Sequence, residues 1–307
     1  MIYENALNEY LNYLSINLKP TTRLNLIRIF KNHITPHFKE KKMNNITNGD
    51  YLNWVNYIKS KNNSNSFNEN VYYAIKKFFD YLEKMYNIDN IPRKYGRFYN
   101  FSIDTKVNII SIWNITEFKR FINSVNEPIY HCFFDLLFYT GLRKGEAMAL
   151  RFYDLNGNKL TVNKNITKDC FNGKRLELKP KTKKSERQIL IDTILKNEIL
   201  KLKKYYSTKY DNFNDNFYIF GGTNPLAPTT IERKKNKYCK IAGVKQIRIH
   251  DFRHSHASML YSGNVNIKYI QERLGHADIS TTLNTYVHLN KEYEKKVIRA
   301  LLIQKLL

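Results

Sequence analysis

The sequence predicts a mainly α chain with a small antiparallel β-sheet, laid out as a helical first domain and a larger α+β domain. Three observations carry this. Apolar residues recur at helical spacing through the first hundred positions. Extended-strand patterning is confined to the stretch from Lys159 to Ile191. Ahead of that region, Asn87 to Lys106 breaks every pattern with Pro92, Gly96 and a basic cluster mixed with aromatics.

In residues 1–88 the apolar spacing predicts helices over Ile2 to Leu14, Leu24 to Ile34, Tyr51 to Ile58 and Val71 to Met85, enough for a small bundle. The second begins after Pro20, with Thr21 and Thr22 as candidate caps. Residues 89–107 read as an interdomain linker. The second domain, 108–289, opens at Asn114, whose side chain can cap while Glu117 reaches back, starting a helix around Phe118 to Val125. Helical spacing continues through Ile129 to Leu150. Leu160 to Val162, Leu176 to Leu178 and Gln188 to Ile191 then read as three short strands joined by polar turns. Helical patterns resume at Leu195 to Tyr205, Thr229 to Ala242, Asp251 to Tyr261, Ile267 to Leu274 and Ser280 to Val287. The last segment, 290–307, reads as a C-terminal helix over Lys291 to Leu302, with Val297, Ile298, Leu301, Leu302 and Leu306 as an apolar stripe that must be buried on its own domain or on a neighbouring protomer.

With 307 residues, 42% of them hydrophobic, the chain is long enough for two cores. Its 51 Lys and Arg against 27 Asp and Glu leave a net charge of +24, which calls for a polyanion in the working state, nucleic acid before an anionic membrane. No segment can span a bilayer: the longest apolar stretch, Cys132 to Leu142, contains Asp135 and falls far short of roughly 20 residues. Met1 to Leu14 carries Glu4 and Glu9 where a secretory signal would be positive and then apolar, so a cytoplasmic, nucleoid-associated protein is expected. Cys132, Cys170 and Cys239 form no Cys-x-x-Cys pair and read as reduced structural residues. The candidate DNA contacts are Lys19, Arg23, Lys31, Arg93, Lys94, Arg97, Lys183 and Lys184.

Five segments carry chemistry. In Thr140-Gly141-Leu142-Arg143-Lys144-Gly145-Glu146, Gly141 allows a sharp entry to a short helix, and Arg143 with Glu146 taken alone reads as a helix-surface ion pair. His250-Asp251-Phe252-Arg253-His254 sets a histidine and an arginine three apart on one helical face, where they can grip one phosphate. His250 and His254 share zinc-protease spacing, but Arg253 lies between them and no Glu does, so no metal is expected. Leu274-Gly275-His276, Thr285-Tyr286-Val287 and the basic turn Lys179 to Ser185 complete the set. Among 23 tyrosines, only context singles out Tyr286.

In this order the segments resemble the tyrosine recombinases, the phage integrase family. The resemblance implies a helical SAM-like core-binding domain ahead of a catalytic domain carrying Arg143, Lys181, His250 with Arg253, His276 and the nucleophile Tyr286. The match spans roughly 108 to 289. It departs at Phe252, where the family often has Leu. Lys181, Lys183 and Lys184 share one turn, and Lys181 is chosen because Lys-Thr at a strand end fits the family pattern best.

The family's reaction implies that Tyr286 forms a 3′-phosphotyrosyl link and that Arg143 and Arg253 neutralise the transition state. His250 takes the phenolic proton, Lys181 protonates the 5′-oxygen and His276 hydrogen-bonds the phosphate. Glu146 is expected to orient Arg143 or the nearby backbone rather than to take part in proton transfer. No metal, ATP or other cofactor is implied. The expected partners are duplex DNA attachment or recombination sites, further copies of the chain (a dimer per site, a tetramer in synapsis) and an accessory directionality factor. An integrase of a mobile element is the leading reading. A Xer-like resolvase, a catalytically silent architectural protein and a topoisomerase-like relaxation activity are the alternatives.

Overall fold

The computed structural model describes residues 1–16, 18–98, 111–171, 174–178 and 186–275, and the chain separates into two units, 1–107 and 108–307.

In the first unit the helices are α1 (Tyr3–Ser15), α2 (Pro20–Ile29), α3 (Thr35–Phe38), α4 (Asn48–Ser60), α5 (Asn65–Tyr86) and α6 (Ile91–Tyr95). Local chemistry sets their ends. Pro20 opens α2, Thr47 and Asp50 form a reciprocal capping box on α4, and Ser64 accepts the Phe67 N–H at the start of α5. The helix predicted through Leu24 to Ile34 continues, but as a π turn over Phe30–Ile34 that leads into α3. Pro36 explains the change of register, because it has no N–H to donate and its ring crowds the turn before it. Helix α5 lays Val71, Ala74, Ile75, Phe78, Phe79 and Leu82 into the core beside Phe30, Ile34, Trp54 and Ile58. The Trp54 indole N–H is satisfied by the His33 carbonyl at 2.7 Å.

The segment read as linker from residue 89 is, in its first part, integral to this unit. Asn90 caps α6, Ile91 and Pro92 are buried, and Phe98 lies edge-on to Trp54 with ring centroids 5.7 Å apart. Pro92 sits in the first turn of α6 rather than breaking a helix, so the residue types that suggested a linker instead start and stop one short helix.

The second unit contains α7 (Ile115–Ser124), α8 (Pro128–Thr140), α9 (Lys144–Ala149), α10 (Thr193–Lys209), α11 (Pro228–Ala242), α12 (Ile249–Ser262) and α13 (Ile267–Leu274). The Asn114–Glu117 capping box predicted for α7 is present in both directions, at 2.8 and 2.9 Å. The stretch read as helical from Ile129 to Leu150 divides into α8 and α9 at Gly141. Its φ is +66°, and an added Cβ would lie 2.6 Å from Leu274 and 2.7 Å from His256, so both conformation and space require glycine.

Where three strands were predicted, the described residues form five. β1 (Leu155–Asn156), β2 (Lys159–Val162) and β5 (Arg187–Leu190) make one antiparallel sheet in the order β1-β2-β5, and β3 (Asn165–Phe171) pairs with β4 (Lys174–Leu178) as a separate hairpin. β1 is too short to show a period, and the polar run of β3 hides its alternation. Gly145 brings α9 against β3: a Cβ there would lie 2.4 Å from the Ile166 carbonyl oxygen. Arg151 ties the hairpin to the loop after α10, donating at 2.9 Å to both Glu177 and the Tyr218 hydroxyl. Among the described residues no helix is long and apolar enough to cross a membrane. The segments predicted as helices at 280–287 and 291–302, and the terminal segment 290–307 as a whole, lie outside the described residues.

Candidate active site

The loop after α8 places Arg143 at the entrance of α9. Its backbone N–H donates to Glu146 Oε2 at 2.9 Å and its Nη1 to Glu146 Oε1 at 2.8 Å. Glu146, however, is buried rather than on a helix surface, with 5% of its side chain exposed. Burial alone would raise its carboxyl. Hydrogen bonds from Arg187, with the charges of Arg187 and Arg143, outweigh that and hold it below the ordinary carboxylate range.

Helix α12 is fixed at its start by Asp251, which accepts the Arg248 N–H at 2.8 Å, and at its middle by Ser255, whose Oγ accepts the Trp113 N–H at 2.9 Å. The departure from the family at Phe252 is absorbed in the core, where the ring lies 5.1 Å from Trp113. One turn along, Arg253 is 2% exposed and donates to the Gly141 carbonyl at 2.9 Å and the Leu274 carbonyl at 2.7 Å. His250 sits on the first turn with an exposed edge, its ring 5.0 Å from that of His254. Partial burial of the ring, followed by the neighbouring His254, Arg253 and Arg143, pushes its pKa down to about 4, so the imidazole is neutral near pH 7.

The C-terminus of α13 is where these segments meet. Three successive carbonyls there each accept from a different guanidinium: Arg273 from Arg187 Nε at 2.8 Å, Leu274 from Arg253 Nη2 at 2.7 Å, and Gly275 from Arg143 Nη2 at 3.3 Å. The helix presents its negative end to three cations, two of which share the buried carboxylate of Glu146. Guanidiniums gathered in this way match the geometry of a phosphate.

The structure therefore brings Arg143, Glu146, Arg253 and His250 together. Lys181, Lys183, Lys184, His276 and Tyr286 lie outside the described residues. Of the candidate DNA contacts in the first unit, Lys19 and Lys31 are exposed and Arg23 is half-buried. Arg93 is paired with Asp80 and Glu83, and Arg97 with Glu69, which spends part of their charge tying α6 and its flank to α5, while Lys94 pairs with Asp89 in the segment just before α6.

Sequence reasoning missed Arg187, Arg273 and His256. Arg187 shares a strand face with buried Ile189, and an arginine at an inward alternating position was the available signal. His256, 1% exposed, accepts from Arg273 Nε at 3.2 Å, and burial, then the Arg273 charge, pushes it down to about 3. Arg273 also donates to the Tyr139 carbonyl at 3.1 Å, so this pair locks α13 to α8 and α12.

The profile of the phage integrase family matches residues 114–293, and that of the phage integrase N-terminal SAM-like domain matches 3–59. The chain is similar to the ICEBs1 integrase of Bacillus subtilis (strain 168), with 28% identity over 306 residues covering 94% of this chain and 79% of that one. It is similar also to tyrosine recombinase XerD of Rickettsia prowazekii, with 28% identity over 273 residues covering 83% and 82% of the two chains. In fold it is similar to the Tn1549 transposon integrase solved in complex with transposon right end DNA, with a TM-score of 0.74 at 19% identity, covering 96% of this chain and 99% of that one. The chain belongs to the phage integrase family of tyrosine site-specific recombinases.

Proposed function

We propose that this recombinase cleaves and rejoins DNA at attachment sites with Arg143, Lys181, His250, Arg253, His276 and Tyr286 as its catalytic set. The observation that carries the reading is the meeting of Arg143 and Arg253, far apart in sequence, at one helix end beside neutral His250. The Tyr286 hydroxyl oxygen attacks the scissile phosphorus and its proton passes to His250. The bond from phosphorus to the 5′-oxygen breaks, and that oxygen takes a proton from Lys181. The bond energy stays in the phosphotyrosyl ester, so rejoining needs no ATP. Arg143 and Arg253 suit the pentacoordinate phosphorus because guanidinium charge does not titrate and its donors match phosphate geometry. His276 hydrogen-bonds a nonbridging oxygen.

Lys19, Arg23, Lys31, Lys183 and Lys184 hold the duplex backbone, which makes binding steeply salt-dependent. Arg93, Lys94 and Arg97 contribute less, being already paired. Two copies occupy a site, four assemble for strand exchange, and an accessory protein sets direction.

The test is a nicked suicide duplex incubated with the protein and EDTA, followed by proteolysis and mass mapping of the DNA-linked peptide. A link at Tyr286 is expected; a link at another tyrosine, or none on a duplex that is bound, overturns the assignment. A second prediction follows from the low pKa of His250. A histidine near 6.5 would cost activity below that pH, whereas one near 4 stays neutral from pH 5 upward. The rate of adduct formation against pH is expected to show no acid limb near 6.5.

A further inference from the structure

We infer that Arg187, at the first position of β5, is a positioning residue for this reaction, setting how strongly Glu146 holds Arg143. The inference rests on the reading above, in which Arg143 grips the scissile phosphate. Only 7% of the Arg187 side chain is exposed. Its Nη1 and Nη2 donate to Glu146 Oε1 and Oε2 at 3.2 and 2.9 Å, and its Nε donates to the Arg273 carbonyl at 2.8 Å. It is also wedged against Gly275, where an added Cβ would lie 3.1 Å from Nη1. One side chain thus joins β5, the entrance of α9 and the last turn of α13.

Electrostatics gives the junction its function. A single buried carboxylate is shared by two arginines: Oε1 accepts from both guanidiniums, and Oε2 accepts from Arg187 Nη2 and the Arg143 backbone N–H. As long as Arg187 takes the fork-to-fork geometry on Glu146, Arg143 is left with one side-chain contact to it and turns Nη2 toward the Gly275 carbonyl, at the end of the segment that leads to His276. Without Arg187 the whole carboxylate charge falls on Arg143, which closes onto Glu146 in a bidentate pair and withdraws from the phosphate. A lysine at 187 keeps the charge but cannot fork, so it replaces only part of the contact.

Sharing of the Glu146 carboxylate makes possible a rescue that a purely structural role for Arg187 would not give. In Arg187→Gln, adduct formation at saturating protein is expected to slow about 100-fold while the dissociation constant for the duplex stays within about threefold. In the double variant Glu146→Gln with Arg187→Gln, the carboxylate charge is gone, Arg143 is released, and the rate is expected to recover at least about tenfold over Arg187→Gln. Arg187→Gln cleaving at the wild-type rate, a loss confined to DNA affinity, or a folded double variant no faster than the single one would each overturn the inference. If Arg187→Gln alone does not fold, the double variant decides. A folded double variant within about tenfold of wild type supports the positioning role, and a folded but slower one overturns it. Wild type forming no adduct on a bound duplex would overturn the catalytic reading along with this one. Wild type and Arg187→Gln forming adduct equally fast would overturn only the role of Arg187.

Discussion

Arg253→Ala is expected to abolish adduct formation, by at least about 10³-fold, and to cost about 3 kcal/mol of stability as well. Both effects have one origin. Arg253 is 2% exposed and spans from the Gly141 carbonyl to the Leu274 carbonyl, joining the loop that presents Arg143 to the end of α13. Truncation leaves two carbonyls short of a donor and opens a cavity between α12 and α13. It also removes a fixed cation from beside His250. Arg253→Lys separates the two consequences: a lysine restores charge and fills most of the volume, yet one ammonium cannot reach two carbonyls in the fork geometry. Most of the stability is expected back, measured by urea unfolding, with the cleavage rate still depressed. Recovery of full rate in the lysine variant would show that charge alone suffices at this position.

Glu146→Ala is expected to be the most destabilising single change at the site, by about 4 kcal/mol. Glu146 is the buried counter-charge of both Arg143 and Arg187, and it also accepts the Arg143 N–H at the start of α9. Removing it leaves two guanidiniums facing each other with the nearest compensation gone, and one of them, Arg187, is almost fully enclosed. For a unit of this size the change corresponds to a drop in Tm of about 10 °C, readable by scanning calorimetry. A drop under about 2 °C would mean that solvent reaches the pair and that the cluster is a surface ion pair in energy if not in position.

The site was legible where local motif and local chemistry coincide. His250 and Arg253 follow from their spacing on one helix, and Arg143 with Glu146 from a glycine-led short helix. The Asn114–Glu117 cap was readable for the same reason: all its atoms lie within four residues. What escaped depends on contacts between distant segments. Arg187 looks like one more cation at the end of a basic run, and only pairing of β5 with β2 turns it inward. The burial of Glu146, which changes a surface ion pair into a shared counter-charge, is decided by β5 and α13 closing over α9. In the first unit, Pro92 and Gly96 carried the same letters a linker would, and what decided for a helix was the burial of Ile91 and Phe98.

The gathering of three arginines on the last carbonyls of α13 bears on when this protein becomes able to cut. The Arg143 contact to Gly275 alone closes a loop of 132 residues, and each of the two arginines lacks one of its anchors until that helix end exists. During synthesis the first unit, with its own core, can fold while the second is still being made, and at ordinary translation rates residues 273–275 follow residue 107 by roughly ten to thirty seconds. A nascent chain shorter than this therefore carries a folded first unit but no assembled arginine cluster. The order of the segments along the chain works as a timer, completing the arginine cluster only once residues 273–275 have been made.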